Sequence, residues 1–260
     1  MMTRTYVVTG SASGIGKATV DLLASQGHRV IGVDVHDADI VVDLTTESGR
    51  AGMVDRVREL TGGRIDAIVA VAGLATPTIQ TVGVNYFGMV ATLERLRPML
   101  DASDAPRAVG VASMATLFPV DDDLVAAELA DNEPEALARA DVLAADAQHG
   151  QLIYSSTKVG FVRWLRQNAA KSEWAGEGIP LNAVAPGIIL TPMVAPFMET
   201  EEGAQQLSQM VPMPLNGFAE PIVVARLLAW LASEENTHLC GQVIFVDGGS
   251  DVVIRGDSVW

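Results

Sequence analysis

A tyrosine and a lysine stand four residues apart in Tyr154-Ser155-Ser156-Thr157-Lys158. On a helix, that spacing puts both side chains on one face. A phenol titrates at about 10, and an adjacent ammonium stabilises the phenolate and lowers that value. A phenol tuned in this way can give or take a proton near neutral pH. It suits hydride transfer to a ketone, where the developing alkoxide needs a proton. Ser113 ends another candidate strand. Open α/β sheets place ligands at such strand ends, and its hydroxyl can hold the carbonyl oxygen.

A second cluster is built for phosphate. Thr9-Gly10-Ser11-Ala12-Ser13-Gly14-Ile15-Gly16 follows a β-branched run and opens a helical pattern. Glycines let the backbone turn tightly and approach a pyrophosphate, and the helix N-terminus supplies unpaired N–H groups and a favourable dipole. Asp34 lies 18 residues past Gly16 at the end of the next strand. A carboxylate there accepts hydrogen bonds from a ribose 2′-hydroxyl and repels a 2′-phosphate. Neither Ser11 nor Ser13 is a cation. These residues point to NAD(H) rather than NADP(H).

The elements that must position these groups alternate. Short runs at 5–9, 29–33, 40–42, 66–71, 107–112, 181–185 and 243–246 read as strands, several of them apolar throughout. Continuous apolar runs fit a parallel sheet covered on both faces. Helical patterns occupy 47–60, 82–100, 153–174 and 221–232, after a first helix from about Ile15 that stops at Gly27, a left-handed cap. Trp164 and Trp230 fall on these patterns as expected core residues. Residues 114–153 stand apart, with nine acidic residues and one basic one, Arg139. Leu124 to Ala147 fit one or two helices with a polar outer face. No linker or tandem repeat divides the chain, so 1–260 reads as one domain.

Composition narrows the function classes. The 260 residues carry a net charge of −15, which disfavours a nucleic-acid partner. The single cysteine, Cys240, excludes an internal disulfide framework and a four-cysteine zinc site. His28, His36, His149 and His238 lack paired metal-ligand spacing. No apolar run approaches the roughly 18 residues of a membrane span, and no signal peptide fits before Thr5. A cytoplasmic protein without a metal or membrane partner is expected.

Together the motifs resemble the short-chain dehydrogenase/reductase family. The resemblance runs through Thr9-Gly10-x-x-x-Gly14-x-Gly16, Asp43-Leu44, Ala72-Gly73, Asn85 in Val84-Asn85-Tyr86-Phe87-Gly88, Ser113, Tyr154-x-x-x-Lys158, Pro186-Gly187 with Thr191, and Val246-Asp247-Gly248-Gly249. It implies a single-domain α/β Rossmann fold with a seven-stranded, parallel, doubly wound sheet. It implies Tyr154 as general acid/base, with Lys158 on the nicotinamide ribose and Ser113 orienting the substrate oxygen. Asn85 would bend its helix and help hold a water leading from Lys158. Gly10, Ser13, Gly14, Ile15 and Gly16 would line the pyrophosphate, beside Asp34 on the ribose. Asp43 and Leu44 would meet adenine, Ala72 and Gly73 the adenosine ribose, and Pro186, Gly187, Ile188 and Thr191 the carboxamide. The family commonly has Asn-Asn-Ala-Gly where this chain has Ala70-Val71-Ala72-Gly73, so the contacts of two asparagines are absent.

The 40 residues between Ser113 and Tyr154 exceed the family's usual dozen or so. This helical insertion before the tyrosine helix, and the Asp251–Trp260 tail, are similar to bacterial 3α-hydroxysteroid dehydrogenase/carbonyl reductases. Residues 190–218 would form a lid rich in methionine and proline over an apolar pocket. The expected reaction interconverts a small hydrophobic secondary alcohol and its ketone, such as a 3α-hydroxysteroid or another alicyclic or aromatic carbonyl. The alternatives are a 3-oxoacyl reductase, a catabolic diol dehydrogenase, and a non-catalytic NAD-sensing protein. No Arg or Lys lies between Ile188 and Pro221, which weakens the acyl-carrier reading. A homodimer or homotetramer is expected. The acidic insertion would block the helix face through which the family often packs, leaving the surface around 221–232 and 243–246.

Overall fold

A computed structural model describes residues 3–146 and 148–259. Ala147, at the end of the predicted insertion helices, and Trp260, at the end of the tail, lie outside the described residues, as do Met1 and Met2. Seven strands form one sheet: β1 (Thr5–Thr9), β2 (Arg29–Asp34), β3 (Ile40–Val41), β4 (Ala67–Ala70), β5 (Arg107–Val111), β6 (Leu181–Pro186) and β7 (Val243–Val246). All pairings are parallel, in the order β3-β2-β1-β4-β5-β6-β7. Successive side chains in a strand point to opposite faces. Tyr6, Val8, Ala67, Val69, Val109 and Val111 enter one core, whereas Val7, Ile68, Ala70 and Ala108 enter the other. The central strands thus feed both cores, their apolar side chains alternating in direction.

Helix α1 (Gly14–Ser25) packs against α10 (Pro221–Leu231) on the first face. The second face carries α2 (Glu47–Thr61), α4 (Met89–Leu96) and α7 (Leu152–Asn168), with Met53, Val57, Leu93, Phe161 and Trp164 in its core. Strand order reverses between β1 and β4, so the carboxyl ends of these two strands frame the crevice where such sheets bind ligands. The glycine turn after β1 sits at that crevice.

Three helical expectations need correction. The segment expected as one helix over 82–100 is broken into α3 (Ile79–Val82), a π-turn (Gly83–Gly88), α4 and a 3-10 turn (Arg97–Leu100). A Cβ at Gly83 or Gly88 would lie 3.1 Å from the Cβ of Thr45 or Leu44, so the widened turn rests directly on that segment. The helix expected to reach Trp174 ends at Asn168. The chain then folds back and sets the Trp174 ring edge-on to Trp164, 6.3 Å between centroids. Trp164 is in the core as expected, but Trp230 is 39% exposed, because its helix packs on α1 through the opposite stripe.

The insertion holds two helices, α5 (Asp122–Leu129) and α6 (Glu133–Ala144), after a 3-10 turn at Met114–Leu117. Asp121 and Asn132 cap them by accepting from the N–H groups of Leu124 and Glu135, and acidic residues fill both first turns. Helix α5 lies along α7, and the buried Arg50 of α2 grips Glu133 of α6 through two 2.8 Å contacts. The 190–218 segment holds α8 (Ala195–Met198) and α9 (Glu201–Met210), and α11 (Ser250–Arg255) follows β7. Among the described residues, no helix is long and apolar enough to cross a membrane.

Candidate functional site

Chain reversal after β1 depends on two glycines. Gly10 and Gly14 have φ of +68° and +51°, and a Cβ at Gly10 would lie 2.9 Å from the Ala72 backbone. A Cβ at Gly16 would strike the Gly10 carbonyl. Ser13 stands at the α1 N-cap but gives no side-chain cap, unlike Thr46, Asp121, Asn132 and Thr200 at other helix starts. The first turn of α1, with Ile15 in it, thus keeps N–H groups free for an anion.

Beside this turn, Asp34 ends β2. Its carboxylate accepts from the Ala12 N–H at 2.9 Å and the Val35 N–H at 2.7 Å. The side chains of the flanking turns that can carry positive charge are engaged elsewhere, Lys17 with Asp21 and His36 with Asp37. Asp43 accepts from both the N–H and hydroxyl of Thr45, and Leu44 packs into the core. At the end of β4 the Thr9 hydroxyl accepts from the Val71 and Ala72 N–H groups, at 3.0 and 3.1 Å. Those backbone groups are thereby held without the family's asparagines.

Tyr154 and Lys158 lie on one face of α7. The Lys158 ammonium is 5.7 Å from the Tyr154 ring centroid, and the lysine is only 3% exposed. It donates to the Val111 carbonyl at 3.0 Å. Burial pulls its pKa down to about 8. An ammonium carries three donors, so two remain for other acceptors. Burial raises the Tyr154 phenol above its ordinary value, and the nearby Ser113 hydroxyl offsets part of that rise. Ser113 follows β5 and also accepts from the Ala115 N–H at 3.1 Å, opening the 3-10 turn.

Asn85 sits in the π-turn. Its side-chain N–H group donates to the Leu74 carbonyl and the Thr157 hydroxyl, at 2.9 and 3.1 Å, and its oxygen accepts from the Leu74 N–H at 2.8 Å. A Cβ at Gly73 would lie 3.0 Å from the Asn85 oxygen and 3.7 Å from the Lys158 nitrogen. Gly73 therefore leaves a backbone channel beside the ammonium. Across the cleft, Pro186 ends β6, and a Cβ at Gly187 would lie 2.9 Å from both Asp247 Cα and Met213 Sδ. The Ile188 N–H reaches Met213 Sδ at 3.3 Å, and the Thr191 methyl lies over Gly14.

The fold brings together Gly10, Gly14, Gly16, Asp34, Gly73, Asn85, Ser113, Tyr154, Lys158, Gly187 and Thr191 around the carboxyl ends of the central strands. Asp43 and Leu44 lie at the rim, one turned to Thr45 and the other inward. Sequence reasoning placed Met213 in the lid without its contact to the Ile188 N–H, and it missed the hydroxyl ties of Thr9 and Thr157. Thr9 and Thr157 stood inside quoted motifs, but hydroxyl partners more than 60 residues away leave no local trace.

The uncapped helix start, the Gly73 channel and the spare Lys158 donors fit a dinucleotide. The chain belongs to the short-chain dehydrogenase/reductase family and is an oxidoreductase: the family model described as enoyl-(acyl carrier protein) reductase matches residues 10–251. It is 33% identical over 252 residues to 3-alpha-hydroxysteroid dehydrogenase/carbonyl reductase of Comamonas testosteroni, covering 96% of this chain and 97% of the relative. It is 30% identical over 268 residues to cis-4-hydroxycyclohexanecarboxylate dehydrogenase of Sinomonas cyclohexanicum, covering 96% and 97%. The crystal structure of the 3-alpha-hydroxysteroid dehydrogenase from Pseudomonas sp. B-0831, complexed with NADH, superposes with a TM-score of 0.87 at 37% identity, over 97% of this chain and 99% of that one.

Proposed function

We propose that the protein interconverts a hydrophobic secondary alcohol and its ketone with NAD(H), with 3α-hydroxysteroids and other alicyclic carbonyls as the substrate class. The observation that carries this reading is the buried Lys158 ammonium 5.7 Å from the Tyr154 ring on one helix, with the Ser113 hydroxyl near the phenol at the end of β5. A bound nicotinamide supplies or accepts the hydride. Ser113 orients the substrate oxygen, and Tyr154 gives its phenolic proton to that oxygen in reduction and recovers it in oxidation. Lys158 uses its spare donors on the ribose hydroxyls and favours the phenolate. Gly10, Ser13, Gly14, Ile15 and Gly16 cradle the pyrophosphate, and Asn85 fixes the π-turn beside Gly73. Pro186, Gly187, Ile188 and Thr191 close on the carboxamide, while Asp43, Leu44 and Ala72 border the adenosine.

The carboxylate of Asp34, without a cation beside it, supports NAD(H) over NADP(H). The substrate class is supported by an apolar wall. Met114, Val211 and Met213 cluster with Leu117, Phe118, Ile188 and Phe218 where the 190–218 lid meets the end of β5. Segment 189–220 has no lysine or arginine to meet an acyl-carrier phosphate.

Tyr154→Phe tests the mechanism. Turnover should fall about 10²–10⁴-fold, the usual share of general acid–base catalysis, while NADH still binds. Retained turnover would overturn it. NAD reduction measured with steroid, cyclic and acyl alcohols tests the substrate class, and a preference for 3-hydroxyacyl thioesters would favour the 3-oxoacyl reductase reading instead.

The assembled form in this reading is a homodimer. Helix α5 already covers α7, whereas α10 and the edge strand β7 stay partly open at the β6 side of the sheet.

A further inference from the structure

Ser113 and Tyr154 lie 41 residues apart and on different elements, yet their hydroxyls must meet. After the 3-10 turn that follows Ser113, the chain does not run free into the insertion. It is tied to the two residues directly after Tyr154. The Ser155 hydroxyl donates to the Pro119 carbonyl at 2.6 Å, and the Ser156 hydroxyl accepts from the Asp121 N–H at 2.9 Å. Ser155 and Ser156 are both buried.

Asp121 is the hub of this tie. Its carboxylate caps α5 through the Leu124 N–H and takes both Nε and Nη2 of Arg139, at 2.9 and 2.5 Å. Arg139 lies on α6, which Arg50 anchors to the main body through Glu133. Bidentate guanidinium–carboxylate pairs fix orientation as well as distance. The chain of contacts thus runs from α2 through α6 to Asp121, then to Ser156 on α7.

We propose that Asp121, with Arg139 and Ser156, is a positioning unit that fixes the segment leaving Ser113 onto the Tyr154 helix and thereby sets the separation of the two reacting hydroxyls. This rests on the reading of Tyr154 and Ser113 given above. The insertion is then a brace for the active site, beyond any part it takes in walling the pocket or limiting assembly. The groups facing the phenol are Ser113 from the β5 exit and Lys158 from its own helix. A Ser113 hydroxyl held near the phenol favours the phenolate, so slackening the brace moves it away and raises the pH at which Tyr154 loses its proton.

The test is the pH profile of alcohol oxidation with NAD in Ser156→Ala, Asp121→Asn and Arg139→Gln, with Asp141→Asn on the exposed side of α6 as the control. Oxidation speeds up as the phenol deprotonates. In the three brace variants that limb should move to higher pH by about one unit, the order of one weakened hydrogen bond. The rate constant at pH 7 should fall by up to about 10²-fold, as for a misplaced reacting group, with NADH affinity unchanged. The control should match wild type. If Ser156→Ala does not fold, Arg139→Gln, which leaves the Ser156 contact in place, still reads the shift. Lowered turnover with an unmoved limb, or no change at all, overturns the brace. Tyr154→Phe separates the two failures: if it retains turnover, the reading of the site falls, and if it abolishes turnover while the brace variants keep the limb, only the brace falls.

Discussion

Burial, rather than any partner charge, sets the state of Lys158. It pulls the ammonium down to about 8, so the charge is present at pH 7 and is lost as pH rises through that value. The ribose contact proposed for this group should weaken over the same range. The kcat/KM for NADH, which reports ionisations of the free enzyme, is expected to fall above about pH 8. Lys158→Arg keeps a charge that does not titrate there, and the limb should vanish. A limb that survives the substitution would belong to another group. Asp34 acts through charge in the opposite sense. Asp34→Asn retains an acceptor for the Ala12 N–H but removes the repulsion of a 2′-phosphate. The NAD/NADP ratio of kcat/KM should shrink by about tenfold, or about 1.4 kcal/mol. An unchanged ratio would mean that cofactor choice is made elsewhere.

Among the elements, α5 carries a costly group. Glu128 is fully buried, and neither carboxyl oxygen has a hydrogen-bond partner. It fits against α7 only because residue 160 is glycine, since a Cβ there would lie 2.0 Å from its Oε2. The Tyr86 ring of the π-turn borders the same spot, and burial with Glu128, Asp131 and Glu94 nearby keeps the Tyr86 phenol protonated. Burial holds the Glu128 carboxyl well above the usual range. The folded state therefore keeps a proton that the unfolded chain releases at about 4.3. Stability is lost as pH climbs from there toward the folded-state value. Glu128→Met should stabilise the protein by about 1–3 kcal/mol at pH 7 in urea unfolding, with a smaller gain at pH 4. Equal gains at both pH values would show that the proton plays no part.

The local motifs were legible because their chemistry is written in spacing. Tyr154 and Lys158 share a helix face, and Gly10 to Gly16 bracket one turn. All seven strands were legible to within two residues, since apolar runs between turn residues carry that signal. Glu128 was not, because a helix pattern cannot say which acid meets a glycine on another helix. The end of α7 was hidden for the same reason, as the apolar pattern continues to Trp174 while the chain itself turns back. The tie of Ser156 to Asp121 joins residues 35 apart, and nothing in either stretch announces the other.

The homodimer proposed above must form despite a net charge of −15. Like charges of that size repel at long range, so a dimer needs an apolar face where the charge is thin. Helix α10 offers one. Val223, Leu227 and Trp230 follow at steps of four and three on one stripe, with Val223 and Trp230 exposed and Leu227 half-buried. The neighbouring strand β7 is an edge, partly accessible along its length, which is a pairing hazard unless something covers it. In the proposed homodimer a second copy would cover both at once. Trp230→Glu puts two new carboxylates into that contact without touching the cleft, and sedimentation should then report monomers that still bind NADH. Going from about 0.01 M to about 1 M salt shortens the Debye length from about 30 Å to about 3 Å. Wild-type association should strengthen over that range, because the salt screens repulsion while the apolar contact remains. A dimer that weakens in salt would be held by ion pairs, and a Trp230→Glu dimer of wild-type strength would be joined through another face.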